Sequence, residues 1–277
     1  SKFGADNKLG YFPSAAFAWN VKNEKFLEDD SRFSQLKLRL SAGTTGNQSI
    51  PAYQSLSQLA YFRYNFSNTT VHGYSPVTVP NPDLSWEKTF QLNGGIDVGI
   101  WNNRLTLVAD YYYKKTSDLL LDLTVPGTSG LAILSGGQTA TIYQNIGAVT
   151  NKGIELAVNS VNLDGPLSWK TGLIFSRNVN EVVKLSNGLE QIIPNINQRS
   201  IIKIGYPVGS FIAYQTDGVI QQGDTPLTPQ QNKNAGGQKY KDINGDGLIT
   251  QTEDRVVIAN QPDFTAGLTN HLSFKGF

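Results

Sequence analysis

The chain contains no cysteine. That excludes disulfides, thiolate metal sites and a cysteine nucleophile. Methionine is also missing, even at position 1, so a chain opening "SKFGADN" is expected to be processed or a piece of something longer. Histidine occurs twice, at His72 and His271. Charged residues make up 16% of the 277, well under the roughly 25% of an ordinary soluble domain. A net charge of +1 gives no pull on nucleic acid, and no nucleic-acid partner is expected. No apolar run approaches the roughly 18 residues of a membrane helix. No charged stretch followed by an apolar core marks a signal peptide. If this chain meets a membrane, it does so with β-strands. Its length alone allows one large domain or two smaller ones.

What the chain does have is period two. In "KTFQLNGGIDVGI", Phe90, Leu92, Gly94, Ile96, Val98 and Ile100 share one face, and Thr89, Gln91, Asn93, Gly95, Asp97 and Gly99 the other. "WNN" then reads as a tight turn. "RLTLVADYYYKK" follows, with Leu105, Leu107, Ala109, Tyr111 and Tyr113 against Arg104, Thr106, Asp110, Tyr112 and Lys114. The same alternation runs through "GIELAVNS" and "LSWKTGLIFS", joined by "NLDGPL". It recurs in "QLKLRLSAG", in "YFPSAAFAWNV" (Tyr11, Ala15, Phe17, Trp19 and Val21 on one face) and in "FTAGLTNHLSFKG". Residues 22–33 leave room for a helical turn.

Short turns near 101–103 and 160–165 alternate with long connections at about 47–85, 123–141 and 184–262, rich in Gly, Pro, Asn, Ser and Thr. A thirteen-residue strand reaches about 43 Å, and tilted by about 45° it crosses about 30 Å of hydrocarbon. Globular strands usually stop at about 5–6 residues. The expected fold class is all-β: an antiparallel transmembrane β-barrel with short periplasmic turns and long extracellular loops. Trp19, Tyr111, Tyr113, Trp169 and Phe175 suit interfacial girdles. Long amphipathic hairpins also build soluble β-sandwiches, β-solenoids and adhesins. About seven long strands are countable, fewer than the eight or more of a closed single-chain barrel. Counting back by two from Phe277 gives Lys275, Ser273 and His271, the wrong phase for a terminal barrel strand. The chain is therefore expected to be an internal arc of a larger barrel, with residues 1–277 all belonging to that one barrel domain.

The stretch "KYKDINGDGLITQTEDR" departs from this pattern. It fits the calcium template D-x-[DN]-x-[DN]-G-x5-E, with Asp242, Asn244 and Asp246 at positions 1, 3 and 5 and Gly247 at the turn. Leu248 offers a carbonyl at position 7, Thr250 stands at position 9 and Glu253 at position 12, with Asp254 next door as a substitute. Hard cations take six to eight oxygens, which this spacing wraps round one point. Ile249 reads as the apolar anchor. The competing reading is an Asp/Asn/Gly turn that needs no metal. "AGGQKY" rules out a preceding helix, so the expectation is a structural calcium ion stiffening an external loop.

Several stretches in this order resemble the SusC/RagA family of TonB-linked outer-membrane transporters. They are "GYFPSAAFAWNVKNEKFL", "LSAGTTGNQSI", "NPDLSWEKTFQLNGGIDVGIWNNRLTLVADYYYKKTSDLLL", "QNIGAVTNKGIEL" and "GYPVGSFIAYQTDGVIQ" with "YKDINGDGLIT". The resemblance covers almost the whole chain. It implies a barrel of about 22 strands with an N-terminal plug, a SusD-like surface lipoprotein as partner, and import of glycans or peptides powered by the TonB complex. No TonB box, plug or closing strands are recognisable here, so energy coupling is expected to lie in parts beyond this chain.

No enzyme is expected. His271 falls on a strand as a polar wall residue, and neither G-x-S-x-G nor a histidine metal cluster occurs. The glycine-rich stretch 127–137 lacks the strand–helix setting of a phosphate site, and Glu28, Asp29 and Asp30 read as a solvated turn. The rival function is a calcium-stiffened surface adhesin or carbohydrate-binding β-protein. A continuous lipid-facing apolar side separates the two, because a sandwich buries that side beneath a second sheet. Tyr61, Phe62, Tyr64, Tyr206, Phe211 and Tyr214 lie in or near long connections, free to stack on sugars or to pack against a lid protein.

Overall fold

The structure is a computed structural model that describes residues 2–125, 128, 131, 141–185, 188–193, 199–225, 227 and 234–275. It divides into two compact units, Ser1–Gly188 with Pro262–Phe277, and Leu189–Gln261.

The first unit holds β1 (Ser14–Asn20), β2 (Phe33–Asn47), β3 (Leu59–Phe66), β4 (Thr69–Pro76), β5 (Glu87–Ile100) and β6 (Leu105–Ser117). It continues with β7 (Leu120–Thr124), β8 (Thr141–Asn145), β9 (Ala148–Leu163), β10 (Leu167–Lys184) and, late in the chain, β17 (Thr265–Phe274). The second holds β11 (Gln191–Ile192), β12 (Ser200–Lys203), β13 (Ser210–Tyr214), β14 (Thr216–Val219), β15 (Gln238–Tyr240) and β16 (Arg255–Ile258).

Seven long strands make one antiparallel sheet in the order β1-β2-β5-β6-β9-β10-β17. Its hairpins turn where the residues permit. Arg104 donates its backbone N–H to the Trp101 carbonyl, and Asn102 and Asn103 between them take φ of 55° and 60°. That is the primed turn whose twist matches its strands, and asparagine tolerates it well. The strands differ from expectation at their ends. Pro13 lacks an N–H, so β1 starts at Ser14 and leaves Tyr11 outside, while Val21 opens a 3-10 turn and is buried. Arg104 belongs to the turn, where its guanidinium caps the Val161 and Asn162 carbonyls. Trp101, Asn102, Asn103 and residues 22–29 otherwise form turns as the sequence suggested.

The register fixes two chemically distinct faces. Directly paired residues share a face, so Trp19, Leu38, Ile96, Ala109, Leu156, Phe175 and Ala266 form one row across the whole sheet. The next row holds Leu36, Val98, Leu107, Val158, Leu173 and Leu268. This apolar side is bare: Phe17 is 61% exposed, Leu268 68% and Leu272 59%. No second sheet covers it among the described residues.

The apolar band also climbs across the strands. On β2 it comprises Leu36, Leu38, Leu40 and Ala42, and on β10 Leu167, Trp169, Leu173 and Phe175. Pairing carries the level of Arg39 through Gly95, Asp110 and Glu155 to Ser176. The band thus shifts by about five residues over four strand spacings, a slope of roughly 40° for residues 3.3 Å apart on strands 4.8 Å apart. Transmembrane β-strands tilt by about 35–45°.

A small apolar cluster closes the long-connection end of this sheet. Phe3, Ile50 and Leu84 are buried there with Trp86, Leu120 and Tyr143 packed against them. The connection at 47–85 also carries the separate hairpin β3–β4, turned at Ser67 and Asn68. Most of 123–141 lies outside the described residues, including nearly all of the glycine-rich stretch 127–137. Within 184–262 the second unit builds a four-stranded sheet, β11-β12-β13-β16, and the ribbon β14-β15.

Candidate functional site

The polar face of the seven-stranded sheet is a structured surface. Arg39 lies on β2 opposite Gly95, and Gly95 lies opposite Asp110 on β6. The Arg39 guanidinium crosses over Gly95 and bonds both Asp97 (Nη2 to Oδ1 2.7 Å) and Asp110 (Nη1 to Oδ1 2.9 Å). A Cβ on Gly95 would fall 2.7 Å from the Arg39 Cζ. Glycine here is therefore the space through which three strands are tied. The motif repeats two strands on. The Tyr112 hydroxyl reaches over Gly153 and donates to Asn178 Oδ1 at 2.9 Å, and a Cβ on Gly153 would meet that phenol at 2.6 Å. Around these bridges opens a concavity of about 590 Å³, with Ser41, Asn93, Lys114, Asn151 and Glu155 also on its wall. Such a surface is polar and cross-tied by hydrogen bonds. His271, paired with Lys170, falls on this polar face as expected.

The acidic loop belongs to the second unit. Its two ends are held by one length of chain: β15 pairs with β14, β16 pairs with β13, and β13 runs almost directly into β14. Tyr214 stacks on Tyr240 at 4.8 Å beneath that closure. The Asp242 carboxylate accepts N–H bonds from Gly245 at 2.6 Å and Gly247 at 2.8 Å. Asp246 Oδ1 accepts from Leu248 N–H at 2.8 Å. Asn244 Oδ1 accepts the Asp246 N–H, and its amide nitrogen donates to Asp246 Oδ2 at 3.1 Å and Glu253 Oε2 at 3.2 Å. Thr250 Oγ1 accepts the Glu253 N–H, and Leu248 is exposed. The structure thus gathers Asp242, Asn244, Asp246, Thr250 and Glu253 around one turn. Among the described residues no group of three or more His, Cys, Asp or Glu side chains is placed to hold a metal ion.

The residue that organises the loop is Asp254. It is fully buried, and its carboxylate accepts from Ile243 N–H (2.9 Å), Thr250 N–H (2.6 Å) and the Thr250 hydroxyl (3.3 Å). Backbone hydrogen bonds from Thr250 and Ile243 hold this carboxyl below its ordinary titration range. The template gives Asp254 no role beyond a substitute for Glu253, so the sequence understated it. Ile249 is buried, the anchor its apolar character suggested.

The aromatic candidates divide. Tyr61 stacks on His72 at 5.1 Å and meets Tyr74 edge-on, on the outer face of the β3–β4 hairpin. Phe62 faces the other side of the hairpin. Tyr214 is used by Tyr240, Tyr206 takes the Lys203 ammonium over its ring, and Phe211 is half exposed beside Ile258.

A tilted antiparallel sheet with a bare apolar side and a hydrogen-bonded polar side is the wall of a transmembrane β-barrel. A family model for TonB dependent receptor-like β-barrels matches residues 1–240, and the chain belongs to that family. TonB-dependent receptor P3 of Formosa agariphila is 36% identical over all of this chain, which spans 28% of P3. TonB-dependent receptor SusC of Bacteroides thetaiotaomicron is 32% identical over all of it, and the chain spans 27% of SusC. Among solved structures, one described as the RagAB peptide transporter superposes with a TM-score of 0.78 at 29% identity, covering 99% of this chain and 28% of that one. The chain is thus an arc of a larger barrel, spanning a little over a quarter of the relatives it matches, and its family is one of outer-membrane β-barrel proteins.

Proposed function

We propose that this chain supplies wall strands and external loops to an energy-coupled outer-membrane importer of glycans or peptides, and has no catalytic role. The observation that carries this reading is the division of one tilted sheet into a bare apolar side and a polar side cross-tied by Arg39 and Tyr112. The likeness to SusC and to a peptide transporter supports both cargo classes. A SusD-like surface lipoprotein is the partner, meeting the long external connections, and TonB acts through segments outside these residues. The test is uptake. Cells lacking the gene should fail to import one class of labelled oligosaccharide or oligopeptide, and the intact gene should restore it. Import of both classes at the wild-type rate in deleted cells would reject the proposal.

The loop Asp242–Glu253 is read as a structural calcium site in an external loop. An all-oxygen donor set suits a hard cation. The residues that would hold it are Asp242, Asn244, Asp246, Thr250 and Glu253, with the Leu248 carbonyl. The ion would supply rigidity, adding to a turn that Asp254 already closes from within. Proteolysis of the full-length protein with and without chelator measures this. Chelation should raise cleavage within 236–256 and leave barrel melting unchanged. Equal cleavage in both conditions removes the metal.

A further inference from the structure

The charged residues of the seven-stranded sheet are sorted between its faces. Lys37, Arg39, Glu87, Asp97, Asp110, Lys114, Glu155 and Lys170 share the polar side. On the apolar side, up to the register shift between Val182 and Lys184, five charges occur: Lys88, Lys115, Lys152, Arg177 and Glu181. Four of the five are cations, and all five lie toward the long connections. None lies toward the short turns.

The four cations are aligned. Lys88 pairs with Ser117, two residues from Lys115. Lys115 pairs with Thr150, two residues from Lys152. Lys152 pairs with Val179, two residues from Arg177. Each step is a diagonal cross-strand neighbour, about 7–8 Å between backbones. The line descends across β5, β6, β9 and β10 in the same sense as the apolar band, so it runs close to the membrane plane at the band's upper margin. Phe90, Tyr113 and Tyr111 lie just beneath it on the same face. An aromatic girdle below a row of cations is the composition of a membrane–water interface.

All four side chains are exposed, and none makes an ion pair or a side-chain hydrogen bond among the described residues. On the rest of the sheet the arginines are used, Arg39 bridging two carboxylates and Arg104 capping two carbonyls, while Lys37 on the polar side stands directly opposite Asp97. Glu181 is the single carboxylate on this face, and it pairs with none of the four. Four like charges at this spacing repel one another and contribute nothing to the sheet on their own. Their alignment is accounted for by an anionic surface standing opposite.

We propose that Lys88, Lys115, Lys152 and Arg177 form a docking belt for the phosphate groups of lipid in the outer leaflet. This surface faces acyl chains, so the phosphate arrives on a membrane lipid rather than on a soluble ligand. In a bacterial outer membrane that lipid is phosphorylated lipopolysaccharide. The inference rests on the barrel reading and on the long connections lying outside the cell.

The test uses the full-length protein in nanodiscs containing lipopolysaccharide with bisphosphorylated lipid A, the same lipid dephosphorylated, or phosphatidylcholine alone. Lipid retained on the protein is counted by native mass spectrometry. Wild type should retain the phosphorylated form about tenfold or more over the dephosphorylated one. That preference should fall as salt rises from roughly 50 to 500 mM. The quadruple variant K88Q/K115Q/K152Q/R177Q should lose it, while K37Q/K170Q on the opposite face should keep it. Equal retention of both lipids by wild type overturns the belt, and so does an unchanged preference in the quadruple variant. Should that variant fail to assemble, the two-lipid comparison on wild type still decides. Failure of the wild type to enter any bilayer would instead sink the barrel reading beneath it.

Discussion

At the scale of single residues, two glycines and one aspartate carry more than their size suggests. Gly95 and Gly153 are kept empty so that Arg39 and Tyr112 can cross a strand to reach Asp110 and Asn178. Gly95→Val should displace the guanidinium from both carboxylates at a cost of about 1–3 kcal/mol, seen as a lower melting temperature in detergent. Gly94, on the other face of the same strand, has only the Leu40 side chain at an ordinary 3.5 Å. Gly94→Ala should therefore be nearly neutral. Asp254 acts in the opposite way, by filling a space. Its folded-state titration is depressed, so its contribution is fully present above the unfolded carboxylate value of about 3.9 and is lost as pH falls through the lower folded value. Hydrogen exchange across 241–254 should stay slow from pH 7 to about pH 4 and quicken only below that. Asp254→Asn should quicken it at every pH. Neither feature was readable in advance. A sequence shows that Gly95 alternates correctly, but not that a neighbour's side chain occupies its Cβ position. Asp254 follows the calcium template by one residue, and only burial distinguishes it from Glu253.

At the scale of elements, legibility followed strand length. β5 and β6 were readable nearly to the residue because thirteen or so alternating positions and a "WNN" turn leave little freedom. The β3–β4 hairpin looks like loop in the sequence, for two reasons. "LAYFRYNF" puts aromatics on both faces, so no apolar side stands out, and its turn is Ser67-Asn68 rather than an Asn-Gly pair. β13 and β16 escaped for another reason: four or five residues carry too little periodicity to register. A two-stranded hairpin is marginal by itself. Replacing residues 59–76 with a short glycine–serine linker should leave the melting of the main sheet unchanged, measured by heat-modified gel mobility. Any ligand affinity lost with it would then belong to Tyr61, His72 and Tyr74.

At the scale of the whole molecule, the apolar band sets what each face tolerates. Leu156 and Ala157 are adjacent in β9 but face opposite media. Leu156→Arg places a charge near mid-band and should cost about 2–4 kcal/mol, read as poor membrane assembly. Ala157→Arg points to the polar side and should assemble normally. Equal yields of the two variants would contradict the assignment of faces. The two-faced long strands and the family were both legible in the alternation and in motifs such as "NKGIEL", because a barrel strand must repeat its pattern over its full length, whereas the tilt emerges only from the register between strands. The second unit was legible only as a long connection, since its small sheet is assembled from scattered short segments.

The sheet has two free margins. Among the described residues β1 and β17 each hydrogen-bond on one side only, leaving a ladder of amide and carbonyl groups along the other. Inside hydrocarbon each such group demands a mate. A polypeptide cut to these residues and refolded would accordingly zip margin to margin into higher-order aggregates, and fresh strands offered in trans would compete for the same rails.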